Sequence, residues 1–149
     1  MSDMDTSSVS ARIGESDIVR LDVPASTEHL RLVRLLVSSV ATAHGADLED
    51  LEDLRLAAGE VCAHAISAAG AHDRMSVSAA VSPGVDDAAL LTVRASVDSA
   101  IDPGSLDELS SMVLEAATDR HGVDVDAVSV SAWFSRTVRS VRSTELRVD

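Results

Sequence analysis

The chain has no lysine and no tyrosine, and only one cysteine, one tryptophan and one phenylalanine. Each shortage excludes something. Without lysine there is no ammonium for a Schiff base, for catalysis or as a phosphate ligand; all 12 basic residues are arginine. With Cys62 alone no internal disulfide can form, which removes the disulfide scaffold of a small secreted domain. With Trp133 and Phe134 as the only aromatics, Leu, Val and Ala have to fill the core. No apolar run approaches a membrane span. The N-terminal stretch MSDMDTSSVS lacks the basic start and apolar segment of a signal peptide, so a cytoplasmic location is expected. Positive charge is scarce too, 12 basic against 25 acidic residues for a net charge of −13. That balance opposes binding to nucleic-acid phosphates and is compatible with a protein partner or with plain solubility.

What is present is the composition of a globular domain: 46% hydrophobic and 25% charged residues over 149 positions, enough for one sizeable core. Residues 1–15 are rich in Ser and Asp without periodicity and read as a mobile arm; residues 16–149 read as a single domain. Ile18 to Val23 alternates Val19, Leu21 and Val23 against Arg20 and Asp22, the pattern of a half-buried strand that Pro24 ends. Ser26 is placed to cap a helix reaching His44, with Leu30, Val33, Val37, Val40 and Ala41 on one face and Gly45 as its stop. After Gly70 the period becomes two. Met75, Val77, Ala79 and Val81, then Leu91, Val93, Ala95 and Val97, flank a Pro83-Gly84 turn and predict an antiparallel hairpin. Ser105 to Glu108 has the form of a capping box opening a short helix, with Leu109, Met112, Val113 and Ala116 inward and His121-Gly122 as its close. Val125 to Phe134, through Val128, Val130 and Ala132, predicts a fourth strand, and part of Thr137 to Val148 a fifth. The order β-α-α-β-β-α-β-β predicts an α+β fold, a two-layer sandwich of a mainly antiparallel sheet with helices on one face.

The stretch from Asp47 to Gly70 stands apart. Leu51, Leu54, Ala58, Val61, Ala65 and Ala69 recur at spacings of three and four, the stripe of a helix with one buried side. Asp47 is placed as N-cap and Gly70 as stop. Among its small apolar residues sits one carboxylate, Glu60, with His64 one turn further on the same face. The two could pair, which would raise the histidine pKa. Two side chains are too few to infer a metal site, and none is assigned. Cys62 reads as a packing residue, and His29, His44, His72 and His121 as solvated or capping groups near helix ends.

Residues Asp53 to Ile66, D-L-R-L-A-A-G-E-V-C-A-H-A-I, resemble the N-box helix of the anti-sigma factor serine kinases. These belong to the ATPase class shared with gyrase and histidine kinases. The family pattern is D-L-x-L-A-x-x-E-x-x-x-N-A-I; Asp53, Leu54, Leu56, Ala57, Glu60, Ala65 and Ile66 match, and His64 replaces Asn. The resemblance implies the histidine-kinase-like ATPase fold and gives Glu60 the role of general base. At position 64 the family's oxygen ligand for Mg²⁺ becomes a nitrogen, which Mg²⁺ disfavours. The family's D-x-G-x-G motif corresponds to Ser96 through Ile101, with Ile101-Asp102-Pro103 matching its F-D-P end. One register puts Ser96 at the adenine-binding Asp; the other uses Asp98 and leaves Ala100 and Asp102 at glycine positions. The glycine lid has no counterpart.

His64, Asp98 and Asp102 are therefore the cofactor-side positions of a degenerate ATP site, where ATP and Mg²⁺ bind only if the altered motif still accepts them. The resemblance implies an anti-sigma factor that sequesters a sigma factor and is relieved by an anti-anti-sigma (STAS) partner or another signal, with homodimerisation. It leaves as the alternative an active serine-protein kinase of that partner. Asp47, Glu49, Asp50, Glu52 and Asp53 form an acidic run that is either a solvated face or a partner surface; Arg31, Arg34 and Arg55, with Asp50 and Asp53, are its partner-binding candidates.

Overall fold

Residues 17–139 are described by the structure, a computed structural model. Five strands form one antiparallel sheet, and three helices cover one of its faces. The strands are β1 (Asp17–Pro24), β2 (Arg74–Pro83), β3 (Ala89–Asp98), β4 (Arg120–Val125) and β5 (Ser129–Val138), and the helices α1 (Leu30–Ala43), α2 (Leu48–Ser67) and α3 (Glu108–Ala117). The sheet order is β1-β2-β3-β5-β4. The expected fold class and element order hold. The N-terminal arm and most of the stretch expected to hold the fifth strand lie outside the described residues.

The hairpin β2–β3 forms as its alternation requires. Met75, Val77, Ala79 and Val81 face Val97, Ala95, Val93 and Leu91 across the ladder, and all eight are buried under the helices. Its turn puts Asp86 and Asp87 at φ 55° and 64°, a left-handed conformation that Asp tolerates better than bulkier side chains. β5 runs beside β3 and supplies Val130, Ala132 and Phe134, the last being the largest fully buried side chain.

Helix α2 is central to the helical layer, in contact with α1, α3, β3 and β5. Asp47 caps it through a reciprocal box, its Oδ1 accepting from the Asp50 N–H at 2.8 Å while Asp50 Oδ2 accepts from the Asp47 N–H at 3.1 Å. Its buried face is wider than the six-residue stripe, because Ala57, Gly59, Cys62 and Ala68 are covered as well. Small residues on all sides let a single helix be packed from three directions. Arg136 of β5 fastens the start of this helix to the sheet. Its guanidinium reaches Asp50 and Asp53, both at 2.9 Å, and donates to the Ala117 carbonyl at 2.8 Å. Burial works against the Arg136 charge, but the Asp50 hydrogen bond and the charges of Asp53, Asp50 and Asp119 outweigh it and raise the pKa.

Several expectations are corrected. Gly70 does not stop α2: the helix ends at Ser67, and Gly70 instead donates its N–H to Asp73 at 2.6 Å. Gly45, at φ 87°, is a left-handed stop for α1 as expected. In β1 only Val23 is fully buried and Val19 is 43% exposed, because β1 is an edge strand. Helix α3 presents a different face from the one expected. Leu114 and Ala117 point inward while Leu109 and Met112 are 71% and 60% exposed and Ala116 faces out. Its N-cap is Asp107, accepting from the Ser110 N–H at 2.7 Å, in place of the box begun at Ser105. His121 and Gly122 do not close α3 but lie inside β4, where the Trp133 indole packs so near that a Cβ on Gly122 would lie 2.9 Å from its Nε1. The strand expected from Val125 to Phe134 is divided by a turn in which Asp126 accepts from the Val128 and Ser129 N–H groups, leaving Val128 exposed.

Candidate functional site

Two places collect the residues singled out in the sequence. They lie on opposite flanks of α2.

The first is the corner between α2, the loop after β3 and the start of α3. Ser99 Oγ donates to the Ala68 carbonyl at 2.6 Å and accepts from the Ile101 N–H at 3.0 Å, so this loop is fastened to the end of α2. Asp102 accepts from the Gly104 N–H at 2.8 Å, a tight turn for which Gly104 takes φ 80°. His64 lies close enough to Asp102 and Asp107 to feel both charges. Burial pushes the His64 pKa down, and those two carboxylates only partly oppose it. Asp107 is held below the usual carboxylate range, first by the Ser110 backbone N–H and then by the Ser110 hydroxyl. The expected pairing of His64 with Glu60 does not form: no hydrogen bond or ion pair joins them, and the His64 pKa moves opposite to what a carboxylate partner would cause. Glu60 is half-buried on the same flank, without a hydrogen bond among the described residues.

These groups do not fit a magnesium nucleotide. His64 brings a nitrogen to the position of an oxygen ligand, and its Nε2 is buried with no partner among the described residues. Asp102 and Asp107 are engaged by backbone N–H groups, and no cluster of three metal-ligating side chains occurs among the described residues. Ser96 pairs with Ser76 and Ser131 on the sheet face away from the helices, and Asp98 is exposed at the end of β3, so neither register of the motif turns a carboxylate toward this corner. The residue that faces the helices there is Val97, a core position.

The second place is the groove between α1 and α2, a shallow hollow of about 290 Å³ lined by Arg31, Arg34, Leu35, Ser38 and Arg55. Arg55 Nε donates to the buried Ser38 hydroxyl at 3.1 Å. Arg34 lies over Gly59 so closely that a Cβ there would come within 2.8 Å of its Nη2. Among the described residues none of the three arginines has a carboxylate partner, although the chain carries 25 acidic residues. Asp50 and Asp53, expected beside them, turn instead toward Arg136 with side-chain exposures of 15% and 29%. Of that acidic run, Asp47, Glu49 and Glu52 remain exposed.

A sequence model of the histidine kinase-like ATPase domain matches residues 23–123, more than half of the chain. The chain belongs to this family. Within the histidine kinase-like ATPases it is similar to the serine-protein kinase RsbW of Bacillus subtilis strain 168, 34% identical over 59 residues, which are 40% of this chain and 37% of that protein. It is likewise similar to the serine-protein kinase RsbW of Staphylococcus aureus strain JH9, 36% identical over 52 residues, 35% of this chain and 33% of that one. The matched stretch thus spans about a third of the length of these curated relatives. The fold is shared with the crystal structure of the RsbU and RsbW domains of Rv1364c from Mycobacterium tuberculosis, at a TM-score of 0.54 and 22% identity over 84% of this chain and 34% of that one. The family is one of ATPase domains, and it is the resemblance of the α2 segment to the N-box helix that points to the α2–α3 corner as the nucleotide side. Its alteration here was legible in the replacement of Asn by His64. The engagement of Asp107 and the outward turn of Ser96 were not.

Proposed function

We propose that this histidine kinase-like ATPase domain sequesters a sigma factor by protein contact through the α1–α2 groove and releases it to an anti-anti-sigma (STAS) partner or another signal. The observation that carries this reading is the asymmetry between the two flanks of α2. On one flank His64 brings a nitrogen and the carboxylates of Asp102 and Asp107 are engaged by backbone N–H groups; on the other, three arginines that have no carboxylate partner among the described residues border a groove beside the exposed Leu32 and Leu35. Arg31, Arg34 and Arg55 make the contacts. Asp50 and Asp53 act at one remove, by holding Arg136 and so the start of α2 in place.

Purification of the tagged chain from its source cell, with and without ATP, tests this reading. A sigma factor co-purifies with the wild type, and Arg34→Glu weakens that complex by roughly tenfold or more. Gly59→Ala separates binding from folding: its methyl displaces the Arg34 guanidinium and weakens the complex, while alanine in mid-helix leaves the domain at least as stable. Absence of any sigma factor, or a complex indifferent to Arg34, defeats the reading.

The half-buried Glu60, retained on α2 without a partner among the described residues, favours one alternative: a serine-protein kinase that phosphorylates the anti-anti-sigma protein with Glu60 as base. Titration with Mg-ATP and a phosphate-transfer assay distinguish the two. Transfer abolished by Glu60→Ala establishes the kinase; no binding heat at millimolar nucleotide excludes it.

A further inference from the structure

The face of the sheet away from the helices is uncovered among the described residues. One row of it crosses all five strands: Arg20 of β1, Ser78 of β2, Arg94 of β3, Trp133 of β5 and Gly122 of β4. The only tryptophan of the chain is thus placed outside the core, while its neighbour Phe134 is fully buried. Trp133 is held there. Gly122 lies against the indole, and the Arg94 and Arg120 guanidiniums lie 5.8 and 6.0 Å from the ring centre. Arg94 is fixed in turn, its Nη1 donating to Asp124 and to the buried Ser131 hydroxyl, both at 2.8 Å.

Charge on this face runs against that of the chain. It bears Arg20, Arg74, Arg94 and Arg120 against Asp22, Asp98 and Asp124, with no glutamate, although acids outnumber bases 25 to 12 overall. Asp22 pairs with Arg74 and Asp124 with Arg94, and Asp98 lies exposed at the end of β3. Arg20 and Arg120, on the two edge strands, have no carboxylate partner among the described residues. Four strand spacings of about 4.8 Å and a strand length of about 34 Å give an area of roughly 650 Å², close to one partner's share of a standard protein interface. Tryptophan and arginine are the residues that interface centres favour, and lysine and glutamate those they lack.

We propose that this open face docks an acidic protein surface, which seats an apolar side chain on Trp133 and sets carboxylates against Arg20 and Arg120. A polynucleotide would bring phosphates along its whole length to a chain of net charge −13. A folded partner with carboxylates only at the contact avoids that repulsion. This goes beyond the sigma-factor reading and does not depend on it, since the face lies across the sheet from the α1–α2 groove and each can be altered alone.

Trp133, with no tyrosine in the chain, reports on its own surroundings. The probes are a fluorescein-labelled helical peptide with Glu and Leu on one face, the same peptide with Gln for Glu, and a single-stranded oligothymidine of matched charge. The Glu peptide binds the full chain saturably by fluorescence anisotropy and shifts Trp133 emission; the Gln peptide binds at least about tenfold more weakly. Arg20→Gln and Arg120→Gln each weaken the Glu peptide by roughly fivefold, with circular dichroism confirming that each variant is folded. No emission shift at millimolar peptide, equal binding of the Gln peptide, tighter binding of the oligothymidine, or full affinity in the double variant would each overturn the proposal. So would an emission shift on concentrating the protein alone, which would mean that a second copy covers the face.

Discussion

His64 is under two opposing influences, burial and a pair of nearby carboxylates, and burial is the stronger. The sign of its effect on stability follows. Above the unfolded value of 6.5 the imidazole is neutral in both states and contributes nothing. As pH falls through 6.5, the unfolded chain takes up a proton that the folded chain resists, so stability drops with acidification. Urea denaturation at pH 7.5, 6.5 and 5.5 should show wild type losing stability toward acid faster than His64→Asn, because the variant has no titrating group there. Equal slopes would show that the imidazole charges freely in the fold. Cys62 illustrates the same physics with less at stake: burial pushes its thiol up to about 12, and a thiol that stays protonated among small residues is a packing group. Both residues share a helix with Glu60. Their spacing was legible from the chain, but whether 60 and 64 touch depends on what α3 and its preceding loop bring up against them.

Helix α2 owes its position to contacts at three places along its length. Arg136 holds the start, Gly59 admits Arg34 at the middle, and Ser99 binds the last turn. The first is the one whose loss costs most, because removing Arg136 would leave Asp50 and Asp53 facing each other in a largely covered site. Arg136→Ala is expected to destabilise the domain by about 3 kcal/mol, measured by urea unfolding, although the residue is far from the nucleotide corner in sequence. A loss below about 1 kcal/mol would mean that solvent already screens the triad. Helix α3 illustrates how an element can be foreseen and its orientation missed. Leu109, Met112 and Val113 have helical spacing, but so do Ser110, Leu114 and Ala117. In a ten-residue helix rich in small side chains, the inward face is decided by where β4 and α2 leave room.

For the whole molecule, the net charge of −13 is a standing repulsion that the few exposed ion pairs do not relieve. Raising NaCl from 50 to about 500 mM should therefore raise the thermal midpoint, by screening that repulsion more than it weakens the covered Arg136 triad. A fall in midpoint would show that the ion pairs outweigh the repulsion. The charges are also unevenly distributed. Arg31, Arg34 and Arg55 meet without a carboxylate partner among the described residues although acids outnumber bases two to one, which the linear order conceals because Asp50 and Asp53 stand between them in sequence.

Taken by itself, the chain determined the first strand, the first two helices and the β2–β3 hairpin, and that one helix carries the pattern of the ATPase family. Periods of two and of three to four, the Asp47 cap and the match from Asp53 to Ile66 are local signals, legible without neighbours. The tertiary structure decided what those residues face. It sent Asp50 and Asp53 to Arg136, set His64 half-buried near Asp102 and Asp107, rotated α3 and left β1 as an edge. Each of these depends on a residue distant in sequence, and pairings across such separations leave no periodic trace in the chain.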